Sequence, residues 1–108
     1  MPADAEYIVI FVTVSDKQEA DRITEVLLNE RKAACVNILS GVNSKFWWKG
    51  EIDSTEESLL IIKTRASVLD QVISLVKELH SYEVPEIIAL PIIGGNDDYL
   101  RWLHDEVK

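Results

Sequence analysis

The chain has little cysteine: Cys35 is the one cysteine among 108 residues. A lone cysteine excludes an internal disulfide and a Cys-x-x-Cys metal site. The fold must therefore depend on a hydrophobic core, and a chain of this length can bury one without disulfide support. Because no internal repeat or low-complexity stretch is present, we expect residues 1–108 to form a single domain.

Basic residues are also scarce. The chain carries 11 basic and 19 acidic side chains, which gives a net charge of −8. Nucleic acids and anionic membrane surfaces both require a basic face, so neither is an expected partner. An acidic surface attracts cations, although the same charge also serves simply to keep a protein in solution.

Long apolar runs are missing as well, because no stretch approaches the roughly 20 residues that span a bilayer. Residues 1–6, which precede the first apolar run, include two acidic residues and no basic one. A secretory signal begins with a basic segment, so we expect no signal peptide. The sequence predicts a soluble, cytoplasmic protein without a membrane segment.

Apolar and β-branched runs predict four strands. We expect them over residues 7–14, 35–39, 58–64 and 87–93, and the second is interrupted near Gly41 and resumes through Phe46 to Gly50. A turn around Asp53 and Ser54 is expected to reverse the chain. The first and third runs are apolar at successive positions, which is typical of strands covered on both faces.

Three helices are predicted between and after these strands. Ser15-x-x-Gln18 fits a capping box that opens the first helix, with Glu19 on the side away from the apolar stripe. Ser67 is predicted to cap the second helix and Asn96 the last. The first turn of the last helix carries two aspartates, at the end where the helix dipole favours negative charge.

The element order is therefore βαββαβ followed by a helix, which predicts an α+β ferredoxin-like domain with an antiparallel sheet. In this topology, strands one and three are central and strands two and four lie at the edges. Pro91 in the fourth strand and the polar Asn37 in the second agree with edge positions.

Open sheet edges and large aromatic residues predict an oligomer. Trp47 and Trp48 are successive strand residues, so they point to opposite faces and a single small subunit can hardly bury both. Tyr99 and Trp102 on the last helix are further candidates for an interface. In the alternative interpretation, these aromatic side chains simply cap the core of a monomer.

The most informative segment for function is 80–86, with the sequence HSYEVPE. It places an imidazole, a phenol and two carboxylates between a helix and a strand, and Pro85 stiffens the turn. Such a turn suits binding of a cation or a small polar ligand. An ordinary loop with solvated polar residues is the alternative.

The chain resembles the CutA family of divalent-cation-tolerance proteins in five segments. These segments are RKAACVNI at 31–38, WWKGEI at 47–52, IKT at 62–64, HSYEVPEI at 80–87 and YLRWL at 99–103. The resemblance implies a ferredoxin-like subunit of a homotrimer that takes part in tolerance to, and binding of, copper and other divalent metals. No obligatory cofactor is implied.

The resemblance implies His80 and Glu86 as metal ligands, with Tyr82 nearby. Val12 stands where some members have a cysteine ligand, and Leu79 where some have a second histidine. Thiolates select copper(I), whereas imidazole and carboxylate suit zinc and copper(II). A firm site needs three or four ligands, so we expect weak binding of Cu²⁺ or another divalent cation at a site between subunits.

Cys35 and His104 are of residue types that bind metals, and their roles stay open. Cys35 belongs to the Ala-Ala-Cys segment and is equally well explained as a small core residue. His104 is a spare imidazole near the end of the last helix, where solvated side chains are common.

A small-molecule sensor and an enzyme are two other classes of function to consider. In a trimeric sensor, by fold analogy alone, Lys63 with Tyr82, Trp48 and Glu86 would hold an anionic metabolite in the cleft between subunits. Lys63 in a structural ion pair is the alternative, and no glycine-rich phosphate loop is present. An enzyme is not expected, because no hydrolase, zinc-protease or cofactor motif accompanies the His80–Glu86 pair or Cys35.

Overall fold

The computed structural model describes residues 5–108. The expectation of no signal peptide rests on residues 1–6, and the first four of these lie outside the described residues. In that range the elements follow the predicted order. They are β1 (Tyr7–Val14), α1 (Lys17–Asn29), β2 (Cys35–Trp48), β3 (Glu51–Arg65), α2 (Leu69–Leu79), β4 (Ile87–Pro91) and α3 (Asp97–Glu106). A single 3₁₀ turn, Ala66–Val68, leads into α2.

The four strands form one antiparallel sheet in the order β2-β3-β1-β4. The predicted fold class and the central positions of β1 and β3 are therefore confirmed. The two central strands pair along the whole of β1, from Tyr7 opposite Arg65 to Val14 opposite Ser58.

The β2–β3 hairpin is longer than predicted and turns at a different place. The chain reverses at Lys49 and Gly50, whose φ angles of 51° and 82° are both left-handed. Two such residues match the twist of the flanking strands, which is why they make a tight hairpin. The predicted turn at Asp53 and Ser54 is wrong, because both residues pair with β2 inside β3.

Near Gly41, β2 is irregular but continuous. The pairing register shifts between Leu39 and Val42, and Gly41 has a φ of 75°. This is a β-bulge, in which an extra residue bends the strand without ending it.

Two helix starts and one strand end also differ from the prediction. Asp16 caps α1 by accepting a hydrogen bond from the Glu19 N–H, whereas α2 has no side-chain cap at Val68 and Ser67 lies in the 3₁₀ turn. Strand β4 ends at Pro91, which lies opposite Ile8 beside the first residue of β1, and the Tyr7 carbonyl accepts from the Ile92 N–H. Asn96 caps α3 as predicted.

The core lies on one face of the sheet. Alternate residues of β1 and β3 point into it, and Ile10, Val12, Leu60 and Ile62 are each 0% exposed. Helices α1 and α2 add their apolar stripes, including Ile23, Leu27, Val72 and Val76. Each of these buried side chains contributes about 1.5–3 kcal/mol to folding by removing apolar surface from water.

The opposite face of the sheet is apolar and only partly covered in a single chain. We call it the open sheet face, and its apolar residues are Val9, Phe11, Leu39, Leu59, Ile61, Ile88 and Leu90, with Thr13, Asn37 and Lys63 on the same face. Its members are half-buried or exposed, and Ile88 is 51% exposed. The prediction that central strands are covered on both faces therefore fails within one chain, since the buried core covers one face.

Candidate functional site

A cleft of about 770 Å³ lies on the open-face side of the β2–β3 hairpin, beside the turn that follows α2. We call it the acidic cleft. It is lined by Thr13, Asn43, Ser44, Lys45, Phe46, Trp48, Asp53, Thr55, Glu57, Tyr82, Glu83, Val84 and Glu86. Four of the lining residues are acidic and one, Lys45, is basic, which gives the cleft a net negative field.

Strand pairing explains how the hairpin contributes to this cleft. Phe46 lies opposite Asp53, and Ser44 lies opposite Thr55. Side chains of directly opposed residues share a face, so these four residues form one surface of the hairpin. Trp47 pairs with Ile52 and lies on the other face, as the predicted alternation of the two tryptophans requires.

Glu57 is the most deeply placed carboxylate of the cleft. It is 7% exposed, and its Oε2 accepts a hydrogen bond of 2.6 Å from the Tyr82 hydroxyl. Burial, followed by this bond to Glu57, raises the pKa of Tyr82 well above its ordinary value. The phenol is therefore a hydrogen-bond donor to Glu57 at neutral pH.

His80 lies in a different environment from the one predicted for a metal ligand. Its side chain is 0% exposed, and Nε2 lies 2.7 Å from the carbonyl oxygen of Thr13. Since a carbonyl only accepts, Nε2 carries the proton, and Nδ1 accepts from the Tyr82 N–H at 3.0 Å. Both ring nitrogens are thus engaged within the chain.

Glu19 is buried beside His80, although the sequence placed it on the solvent side of α1. It is 3% exposed and lies 3.2 Å from His80 Nδ1. Its Oε1 accepts from the hydroxyls of Ser15 and Ser81, and its Oε2 accepts from the Ser81 N–H. We call Thr13, Ser15, Glu19, His80 and Ser81 the Glu19 network.

The Glu19 network makes stability depend on pH. Burial raises the pKa of Glu19, but the hydrogen bonds from the Ser81 hydroxyl, the Ser81 N–H and the Ser15 hydroxyl outweigh it, so the pKa lies below the ordinary value of 4.5. The unfolded chain therefore takes up a proton at higher pH than the folded chain. The stabilisation by Glu19 is complete above the unfolded-state pKa and is lost as the pH falls through the folded-state pKa.

We expect the difference in unfolding free energy between the parent chain and Glu19→Gln to shrink between about pH 5 and pH 3. Urea unfolding at a fixed subunit concentration measures it. An equal difference at pH 7 and at pH 3 would show that the charge of Glu19 does not contribute to stability.

The structure brings together some of the predicted site residues. Trp48, Tyr82 and Glu86 line the acidic cleft, whereas His80 lies in the Glu19 network. Lys63 lies on β3 opposite both Val9 and Cys35.

The four predicted interface aromatics are all exposed in the single chain. Trp47, Trp48, Tyr99 and Trp102 are 40–72% exposed, and the rings of Tyr99 and Trp102 lie 5.4 Å apart. Their contact with a neighbouring copy stays a prediction.

Sequence reasoning did not identify Glu57, Asp53 or Glu19 as site residues. For Glu19 a signal existed: positions 19, 23 and 27 recur at helical spacing, so Glu19 is in register with the buried Ile23 and Leu27. For Asp53 and Glu57 the signal was hidden by the wrong position of the hairpin turn, which placed both outside the third strand.

The donor atoms of the acidic cleft suit a divalent cation. Carboxylate, hydroxyl and amide oxygens are the ligands preferred by Mg²⁺, Mn²⁺ and Ca²⁺, and carboxylates also bind Zn²⁺ and Cu²⁺. Within residues 5–108, however, no three His, Cys, Asp or Glu side chains converge closely enough to hold a metal ion. Across the same range, each helix is too short or too polar to cross a bilayer.

Comparison with known proteins gives the family. The profile of the family described as CutA1 divalent ion tolerance protein matches residues 8–106. Protein CutA 1, chloroplastic, of Oryza sativa subsp. japonica is 48% identical over 101 residues, which are 94% of this chain and 57% of the rice protein. The chain thus spans little more than half the length of that relative.

Bacterial and structural relatives agree with this result. The divalent-cation tolerance protein CutA of Thermus thermophilus is 44% identical over 97 residues, 90% of this chain and 94% of that protein. The crystal structure of CutA1 from Oryza sativa superposes with a TM-score of 0.93 at 47% identity, over 96% of this chain and 95% of that one. The chain belongs to the CutA1 divalent ion tolerance family.

Proposed function

We propose that this protein binds divalent cations through the carboxylate oxygens of the acidic cleft, as a member of a divalent-cation-tolerance family. The observation that carries the proposal is that Asp53, Glu57, Glu83 and Glu86 line one cleft, whose lining contains one basic residue, Lys45. The role is one of binding, and no catalytic step is assigned to it.

The proposed site favours ions that bind oxygen ligands, such as Mn²⁺, over copper(I). Its lining contains carboxylates, hydroxyls and an amide, and a soft thiolate is what copper(I) requires. Because the carboxylates of one chain do not by themselves form a three-ligand cluster in the described residues, binding is weak unless water or a neighbouring copy supplies further ligands.

Of the two residues implied by the family resemblance, we retain Glu86 as a ligand and give His80 another role. Glu86 is exposed in the cleft, whereas both nitrogens of His80 are already hydrogen-bonded. A metal ion would have to break those bonds before His80 could coordinate it. We propose that His80 supports the turn that carries Tyr82.

We also propose that the working form is a homotrimer. In a single chain the open sheet face exposes apolar side chains, with Ile88 51% and Leu90 43% exposed, and a second copy of the chain is the partner that always accompanies it. The number three follows from the family resemblance. Glu57 and Leu59 share this face of β3, so a neighbour seated there would lie beside the acidic cleft.

The alternative, binding of an anionic metabolite, is not favoured. The lining of the cleft contains four acidic residues and one lysine, and this field repels an anion. Lys63, the cation proposed for that role, lies in the sheet opposite Val9 and Cys35. Cytoplasmic location stays a prediction, and the rice relative is named chloroplastic.

Calorimetric titration with Mn²⁺, Zn²⁺ and Cu²⁺ tests the cation site. We expect Glu86→Gln to weaken binding of at least one ion by about fivefold, the effect of removing one charged ligand of a weak site. Glu78→Gln makes the same charge change on the exposed surface of α2, and it should leave the affinity unchanged. Superimposable isotherms for the parent and Glu86→Gln would remove Glu86 from the site.

A further inference from the structure

The Glu19 side chain accepts three hydrogen bonds at a position of α1 that an apolar residue could fill. It lies in register with Ile23 and Leu27, where an apolar residue would simply extend the buried stripe of α1. A carboxylate is costly to bury, and here it accepts three hydrogen bonds, two from Ser81 and one from Ser15. Ser81 belongs to the turn that reaches the acidic cleft, 62 positions further along the chain.

The turn is held at three successive residues. The His80 ring donates to the Thr13 carbonyl, Ser81 is bonded twice to Glu19, and the Tyr82 N–H donates to His80 Nδ1. The rings of His80 and Tyr82 also lie 4.7 Å apart and are tilted against each other. The backbone of residues 80–82 is therefore fixed relative to β1 and α1.

Tyr82 connects the fixed turn to the acidic cleft. Its hydroxyl donates to Glu57 Oε2 at 2.6 Å, and Glu57 is the most buried carboxylate of the cleft lining. Hydrogen bonds thus join Glu19 to Ser81 and Tyr82 to Glu57, and Ser81 and Tyr82 are neighbours in the chain. The orientation of the Glu57 carboxylate depends on where the Tyr82 phenol is held.

We propose that Glu19 is a positioning residue for the acidic cleft. By fixing the 80–82 turn through Ser81, it sets the Tyr82 hydroxyl against Glu57 and so orients a carboxylate that Glu19 itself does not contact. What the cleft binds rests on the proposed function, whereas the positioning of Tyr82 and Glu57 does not. Glu19 acts on the cleft only through Tyr82.

The first test needs no metal ion. Amide hydrogen exchange is measured for Ser81 and Tyr82 in the parent and in Glu19→Gln, together with the ¹³Cζ resonance of Tyr82, which reports the hydrogen bond of its hydroxyl. We expect both amides to exchange about tenfold faster in the variant, because local opening becomes easier by one hydrogen bond to a charged group. The Tyr82 resonance should shift.

Glu25→Gln is the matched control, since Glu25 lies exposed on the same helix. It should change neither observable. A purely structural role for Glu19 would accelerate all slowly exchanging core amides together and leave the Tyr82 resonance in place. That pattern would overturn the proposal.

The second test is a double-mutant cycle on Mn²⁺ affinity. We expect Glu19→Gln to weaken binding about threefold to tenfold in the parent background, the range for one lost charge-assisted hydrogen bond. In the Tyr82→Phe background the same substitution should have no further effect, because the connection to Glu57 is already broken. Equal effects in the two backgrounds would contradict the proposal.

The two tests distinguish the proposed cation binding from the positioning role of Glu19. If the parent binds no divalent cation, the proposed function fails, while the exchange and resonance data still decide whether Glu19 positions Tyr82. Should Glu19→Gln fail to fold, Ser81→Ala removes one of the bonds to Glu19 on the solvent-exposed residue of the turn. Unchanged exchange at Tyr82 and an unshifted ¹³Cζ resonance in that variant would overturn the proposal.

Discussion

Leu90→Glu is expected to dissociate the proposed homotrimer into folded single chains at about 10 µM subunits, because several kcal/mol are lost when an unpaired charge enters an apolar interface. Leu90 lies on β4 opposite Val9, within the open sheet face. In the single chain it is already 43% exposed, so a charge there is tolerated by the fold of the subunit itself. Sedimentation velocity and circular dichroism measure the two properties separately.

Leu28→Glu is the control for this experiment. Leu28 lies on α1 and is 39% exposed, so residue type, substitution and exposure all match those at Leu90. We expect its sedimentation coefficient to equal that of the parent. If both variants sediment alike, the open sheet face is not the surface that joins the copies.

His80→Ala is expected to lower the free energy of unfolding by about 3 kcal/mol, a large effect for one substitution. The change leaves the Thr13 carbonyl and the Tyr82 N–H without their partners at a side chain that is 0% exposed. Urea unfolding measures the loss, and the subunit concentration must be fixed because the stability of an oligomer depends on it.

His104→Ala supplies the comparison. His104 is the other histidine of the sequence, and its side chain is 43% exposed on α3. Its loss should cost no more than about 0.5 kcal/mol, as is usual for surface substitutions. Equal stability losses at the two positions would contradict the role of His80 as a structural support of the turn.

Much of the fold could be predicted from local sequence patterns. The element order βαββαβ predicted the strand order, and the apolar runs of the two central strands, with Pro91 and Asn37 in the outer ones, agreed with it. Asn96 was identified as a cap because its preference for that position is local. Such features depend on neighbouring residues, which a single sequence displays directly.

The hairpin turn was misplaced because its signal is weak. Lys49 occupies a left-handed position that asparagine or aspartate more commonly fills, so Lys49-Gly50 lacks the usual turn signature. Asp53 and Ser54 are frequent turn residues, yet here they lie within a long strand. The outer part of β3, including Asp53 and Glu57, was consequently absent from the predicted site.

The role of the 80–86 segment could not be predicted because its partners are distant in sequence. His80 bonds to a carbonyl 67 positions away, and Tyr82 bonds to a carboxylate 25 positions away. Residue types in the segment marked it as functional, and Glu86 does line the cleft. Which of its side chains supports the turn and which faces a ligand is decided by tertiary contacts alone.

The most direct test of the account is the mass of the parent chain by sedimentation equilibrium at micromolar concentration. If further copies cover the open sheet face as proposed, the mass is three times the subunit mass of 12.3 kDa. A folded species of 12.3 kDa across that concentration range would contradict the account.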